Sequence, residues 1–249
     1  MHEAVSEDYW TDAQRPLTCL LFLLPWIVAY ESGVLLFSDL LSHGVRNGAD
    51  GWMRAALPVT GAGQVILLPL IVVAILLTWH IVCRHPWKIR LETQVGMLAE
   101  SLLLAVALVA AGQLHQLLFM NLPPRFSELR LLSVHSPWPQ AVSCIGAGVY
   151  EEVLFRLMLL PAAFLVFRMF EFSARLAAIV SAVLTSVVFA IAHHIGPAAE
   201  AFNLFAFSFR AAAGLFFASV FFLRGFGIAV GCHATYDLIV GGLLATDVS

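Results

Sequence analysis

Seven apolar runs, near 17–37, 62–83, 96–120, 141–168, 176–194, 203–223 and 226–244, take up most of the chain, with short polar breaks between them. Crossing the roughly 30 Å hydrocarbon core of a bilayer takes about 20 mostly apolar residues in a helix. Runs of this length therefore predict membrane-crossing helices. The expected fold is all-α, a multi-pass transmembrane helical bundle of seven spans with a polar site inside it. The run 141–168 is long and carries Glu151, Glu152 and Arg156, so a tilted span and a preceding re-entrant turn are equally compatible. A re-entrant or spanning addition there would make eight elements.

Composition agrees with the runs. The chain is 61% hydrophobic and 12% charged, with mean hydropathy +0.90, whereas soluble domains carry about 25% charged residues. Lipid is the solvent such a surface requires. Thirteen basic against sixteen acidic residues give a net charge of −3, and no Lys/Arg run forms a stripe for nucleic acid, which is excluded as a partner. Cys19, Cys83, Cys144 and Cys232 lie in or beside apolar runs without zinc-type spacing, and read as small buried hydrophobes. The opening MHEAVSEDYWTDAQRP is polar and net acidic, unlike the basic start of a cleavable signal peptide. Four regions follow: a polar tail over 1–16, amino-terminal membrane helices over 17–120, a Pro-rich loop over 121–139, and a catalytic membrane core over 140–245. With seven spans, Arg15, Arg84, Lys88, Arg90, Arg168, Arg175 and Arg224 share the amino-terminal side, against Arg46, Arg54, Arg125 and Arg130. The larger group marks the cytoplasmic face.

A charge at the bilayer centre costs from about 2.5 to more than 10 kcal/mol depending on reference, so charged groups there need partners or a purpose. They occur as Glu151, Glu152 and Arg156 in YEEVLFRL, His193 and His194 in FAIAHH, Arg210 in FSFRAAAG, and His233 with Asp237 in CHATYD. Glu31 and Glu100 also fall within apolar runs, though each could sit near a helix end. Glu152 and Arg156 are four residues apart and share a helix face, which suits an ion pair. Glu151, about 100° round the helix, projects to a different neighbour. His233 and Asp237 are also four apart and can orient each other or a common ligand. Each feature has a plain packing reading: the ion pair as a helix fastener, a lone histidine as a hydrogen-bonded core residue, Arg210 as a snorkelling side chain, and the Phe-rich 202–226 stretch and Phe189 as packing surface.

Taken in order, these residues resemble the motifs of the type II CAAX protease family, also called the CAAX prenyl protease and bacteriocin-processing or abortive-infection family of intramembrane proteases. Its E-E-x-x-x-R, F-x-x-x-H and H-x-x-x-N/D patterns read here as Glu151-Glu152 to Arg156, Phe189 to His193, and His233 to Asp237. The likeness covers roughly 140–245. It implies an intramembrane endopeptidase acting on a membrane-associated protein or peptide, with Glu151 activating water, His193 holding or deprotonating it, His233 and Asp237 completing the site, and Glu152 and Arg156 supporting it. Asp237 stands where the eukaryotic prenyl-protein proteases have Asn, which is closer to many prokaryotic members and implies a prokaryotic cytoplasmic membrane.

Peptide hydrolysis needs an activated water, a stabiliser for the oxyanion and a proton donor for the leaving amine. In one version zinc, held by His193, His233 and Asp237, lowers the pKa of its bound water and leaves Glu151 as general base. In the other, Glu151 and His193 activate water without metal, while His233 and Asp237, one turn later, bind the oxyanion. An ionised Asp237 suits an oxyanion poorly, because it can only accept hydrogen bonds, and this favours the zinc version. A transporter or proton-coupled channel is the rival from another class, although no internal repeat supports it. A non-proteolytic scaffold or immunity protein of the same fold is the other alternative.

Overall fold

The computed structural model describes residues 9–37, 46–58, 62–119, 137–196 and 199–243. All regular secondary structure among them is helical. In chain order the helices are α1 (Pro16–Phe37), α2 (Gly48–Ala55), α3 (Ala62–Val82), α4 (Leu91–Phe119), α5 (Pro137–Glu152), a π-helical turn (Val153–Leu159), α6 (Leu160–Met169), α7 (Ala174–Ala192), α8 (Leu204–Arg224), α9 (Phe226–Leu238) and a second π-helical stretch (Ile239–Leu243).

Five of the seven expected runs are single helices long and apolar enough to cross a bilayer: α1, Val65–Val82 of α3, α4, α7 and α8. The other two are interrupted. The run expected over 141–168 is helical from 137 to 169 but widens into π geometry at Val153–Leu159. Pro161 follows directly, with no N–H to donate and a ring that crowds the carbonyl four residues back, so a local change of helical register relieves it. The last run is the short α9 continued by the second π stretch. Two breaks are also shorter than expected. Residues 48–55 form α2, opened by Asn47, whose side chain accepts the Asp50 amide at 2.8 Å. Pro137 and Pro139 begin α5, where a missing N–H costs little. The rest of the Pro-rich loop, 121–136, lies outside the described residues, as do 1–8 of the amino-terminal tail.

The outer surface is apolar: Leu36, Val82, Leu103, Leu118 and Leu223 are all largely exposed. Such a surface meets lipid. Inside, α9 is the central element, with every residue from Phe226 to Ala234 buried against α1, α4, α5 and α8. Lipid provides no hydrophobic drive between helices, so close backbone packing holds them together. Small residues permit it. A Cβ on Gly148 of α5 would come within 2.4 Å of the Ala234 backbone nitrogen, and one on Gly231 within 2.5 Å of the Ser101 hydroxyl. The α5–α9 approach set by Gly148 brings Glu151 and Glu152 beside His233.

Candidate active site

Glu151 and Glu152 occupy the last turn of α5, just before the π turn that carries Arg156. Glu152 is fully buried and serves two partners with one oxygen. Its Oε1 lies 3.0 Å from Arg156 Nη1 and accepts the Nδ1–H of His233 at 2.8 Å. The first contact is the ion pair expected from the four-residue spacing. The second was invisible in the spacing, because it crosses from α5 to α9. Arg156 is also buried; its Nη2 donates to the Gly214 carbonyl at 2.9 Å, and the guanidinium sits over the Phe189 ring at 4.7 Å. A buried charge is tolerable when hydrogen bonds and an aromatic face surround it in this way.

Glu151 turns to the other side. Its Oε2 is 3.9 Å from His193 Nε2 and also 3.9 Å from His233 Nε2. His193 caps the carboxyl end of α7, and its Nδ1 is 2.8 Å from the Phe189 carbonyl oxygen. A carbonyl oxygen only accepts, so Nδ1 carries a proton and the neutral ring presents a bare Nε2 toward Glu151. His233 is fixed likewise at Nδ1 by Glu152, and its ring stacks on Phe217 with centroids 4.3 Å apart. Asp237 Oδ2 lies 3.6 Å from the same His233 Nε2. Two histidines held at Nδ1 thus aim Nε2 at one carboxylate, with a second carboxylate beside them. Exposure is graded across the cluster. The side chains of Glu152 and Arg156 are 0% and 2% exposed, whereas Glu151, His193 and Asp237 reach 14%, 25% and 26%. The sealed side anchors, and the accessible side can admit water and substrate.

The structure therefore brings Glu151, Glu152, Arg156, His193, His233 and Asp237 together from three stretches of chain. His194, Arg210, Glu31 and Glu100 are engaged elsewhere. The Nδ1–H of His194 donates to the Glu200 carbonyl at 3.0 Å, and Arg210 Nη2 meets both Glu200 carboxylate oxygens at 2.7 Å. Glu31 joins Arg54 at 2.5 Å, Arg46 at 3.5 Å and the Tyr150 hydroxyl at 2.5 Å. Glu100 pairs with Arg224 and accepts the Tyr9 hydroxyl at 2.7 Å. Phe217 lies in the Phe-rich stretch that reads as packing surface, and its ring packs on His233 itself. Its position seven residues after Arg210 on one helix was the available signal.

The donor set His193, His233 and Asp237 has the chemistry for zinc, with two available Nε2 atoms and a carboxylate. Among the described residues, no group of three or more His, Cys, Asp or Glu side chains is placed to hold a metal ion together. His233 Nε2 instead faces two carboxylates, a position suited to a proton held between them.

Beside the cluster an open apolar recess of about 320 Å³ is walled by Trp52 of α2, Leu154 and Phe155 of the π turn, and Ala192 and Ile195 around His193. Residues 133–239, which contain the whole cluster, match the family described as Rce1-like, type II CAAX prenyl endopeptidase Rce1-like. Comparison with curated proteins and with solved structures gives no match.

Proposed function

We propose, from the premise that residues 133–239 belong to the type II CAAX prenyl endopeptidase family, that this integral membrane protein is an intramembrane endopeptidase that cuts membrane-associated proteins or peptides. The supporting observation is the pair of equal 3.9 Å separations from Glu151 Oε2 to the Nε2 atoms of His193 and His233. Those gaps are too long for direct hydrogen bonds. A water beside them can bond to Glu151 and to one imidazole together.

In this reading Glu151 takes a proton from that water, with His193 Nε2 accepting its second hydrogen and setting its direction. The hydroxide attacks the scissile carbonyl carbon. Glu151 then passes the proton to the leaving amine as the C–N bond breaks. His233, beside the carboxylates of Glu151, Glu152 and Asp237, is stabilised as imidazolium and donates from Nε2 to the oxyanion. Asp237 need not touch the oxyanion; it orients His233 and sustains its charge. This answers the objection that an anionic Asp237 suits an oxyanion poorly. No step is routed through zinc. The recess walled by Leu154, Phe155 and Ala192, sequence neighbours of the cluster, offers the substrate's apolar segment a place.

The helical run from 137 to 169 serves as one span and α9 with its π extension as another, making seven. The third motif ends in Asp237, as in many prokaryotic members, and this supports a prokaryotic cytoplasmic membrane as the enzyme's location. The test is cleavage of membrane-fraction peptides by purified protein in liposomes. Wild type is expected to cleave, and Glu151→Ala and His193→Ala to be inactive while remaining folded. Full activity in either variant overturns the assignment. A proton-coupled transporter would instead show flux that Glu151→Ala abolishes, with no peptide product.

A further inference from the structure

Arg210 is charged, close to the candidate site and absent from the mechanism above. On α8 it shares a stripe with Gly214 and Phe217, at spacings of four and seven residues. Those two residues define where the stripe points: a Cβ on Gly214 would meet Ser186 and Phe189 of α7, and Phe217 stacks on His233. Arg210 thus stands one turn nearer the start of α8 on the face that looks into the catalytic cluster. Phe209 beside it contacts the ring of Tyr236, the neighbour of Asp237 on α9.

The guanidinium is only half used. Nη2 holds both oxygens of Glu200, whose side chain is 52% exposed, while Nη1 is buried and finds no hydrogen-bond acceptor among the described residues. A buried charged donor without an acceptor is costly, and native structures seldom leave one without reason. The guanidinium fork matches a carboxylate better than any other side chain does. Among the described residues no carboxylate accepts from it: Glu200 is held by Nη2.

We propose that Arg210 is a specificity-determining residue at the mouth of the site, whose buried Nη1 binds a carboxylate of the substrate near the scissile bond. This rests on the endopeptidase reading for its location but not for its test. The carboxylate has two sources, the free carboxyl terminus of a peptide or an Asp or Glu side chain. Glu200 competes for the same guanidinium, so its removal should strengthen carboxylate binding.

The test measures binding rather than cleavage, on full-length Glu151→Gln protein in detergent. The probes are labelled peptide libraries of neutral and apolar residues, made as terminal acids or amides, with and without one Asp or Glu. The expected result is about a tenfold preference for one carboxylate form, the size of one charge-assisted hydrogen bond. Arg210→Gln removes that preference, Arg210→Lys keeps part of it, and Glu200→Gln enlarges it. Preference for acid over amide termini identifies a terminal carboxylate; preference for Asp or Glu over neutral libraries identifies a side chain. Equal binding of all libraries overturns the proposal. So does a Glu200→Gln variant that changes binding in the same direction as Arg210→Gln, since that is what a merely structural pair would do. Thermal melting of each variant separates loss of fold from loss of recognition. Failure here with cleavage still dependent on Glu151 sinks the role of Arg210 alone.

Discussion

Two buried ionic clusters meet at adjacent residues of α5, and they are built differently. Tyr150 belongs to the first, which joins α1, α2 and α5. There Glu31 and Asp50 face Arg46 and Arg54, with every opposite pair within 3.5 Å and hydroxyls from Tyr30 and Tyr150 added. Two anions meet two cations, and the group is closed. The second cluster, from Glu151 onward, sets three carboxylates against one arginine and two histidines. Its Glu152 half is as tightly bonded as the first cluster, but its Glu151 half has gaps of 3.6 to 3.9 Å between groups that could ionise or share a proton. Charge balance with short contacts marks a structural fastening. Charge imbalance with separations of 3.6 to 3.9 Å, on the accessible side of an otherwise sealed cluster, suits the entry of water and substrate that the proposed function requires.

The contrast has measurable consequences. The largest is on turnover: Glu151→Ala should lower cleavage by at least about 10²–10⁴-fold, the usual contribution of a positioned general base, with melting temperature little changed. Glu31→Gln should do the reverse, lowering melting temperature while leaving most activity; if its activity loss matched that of Glu151→Ala, the division between clusters would fail. Next comes stability. Arg156→Ala leaves the buried Glu152 without its arginine and should cost about 3–5 kcal/mol, and Asp50→Ala, which leaves Arg46 and Arg54 to share Glu31, should also lower stability. Denaturation in detergent measures both, and an unchanged midpoint for either would show that its cluster is not a fastening. A smaller effect is expected from Phe217→Leu. It removes the ring stacked on His233, worth about 0.5–1.5 kcal/mol, and should slow turnover several-fold. Smallest is Tyr150→Phe, which deletes one hydroxyl on Glu31 and should cost about 0.5–1.5 kcal/mol of stability with cleavage intact. Chelation should leave cleavage unchanged; activity lost to a chelator and restored by zinc would place His193, His233 and Asp237 around a metal.

Much of the candidate site was legible because its local part is helical. Glu152 and Arg156, and His233 and Asp237, sit four residues apart, and a helix turns such spacings into contacts. The Glu152 to His233 bond was not legible, since it joins positions 81 residues apart. Glu31 and Glu100 looked alike in sequence, each a lone acid in an apolar run. Their partners Arg54 and Arg224 lie on other helices, so only packing could assign both to fastenings.

From the order of its residues alone, this chain is committed to lipid and to helices, because runs of about 20 apolar residues leave a backbone no other way to satisfy its polar groups there. Which carboxylate is sealed and which is left accessible was decided by tertiary structure. Glu151 and Glu152 are neighbours of identical chemistry, and the difference between them arises from what α7, α8 and α9 place on each side. Helix packing depends on small residues such as Gly148 and Gly231, whose importance lies in what they allow to approach. A side chain's charge can be read from the sequence, but its environment is supplied by residues distant along the chain.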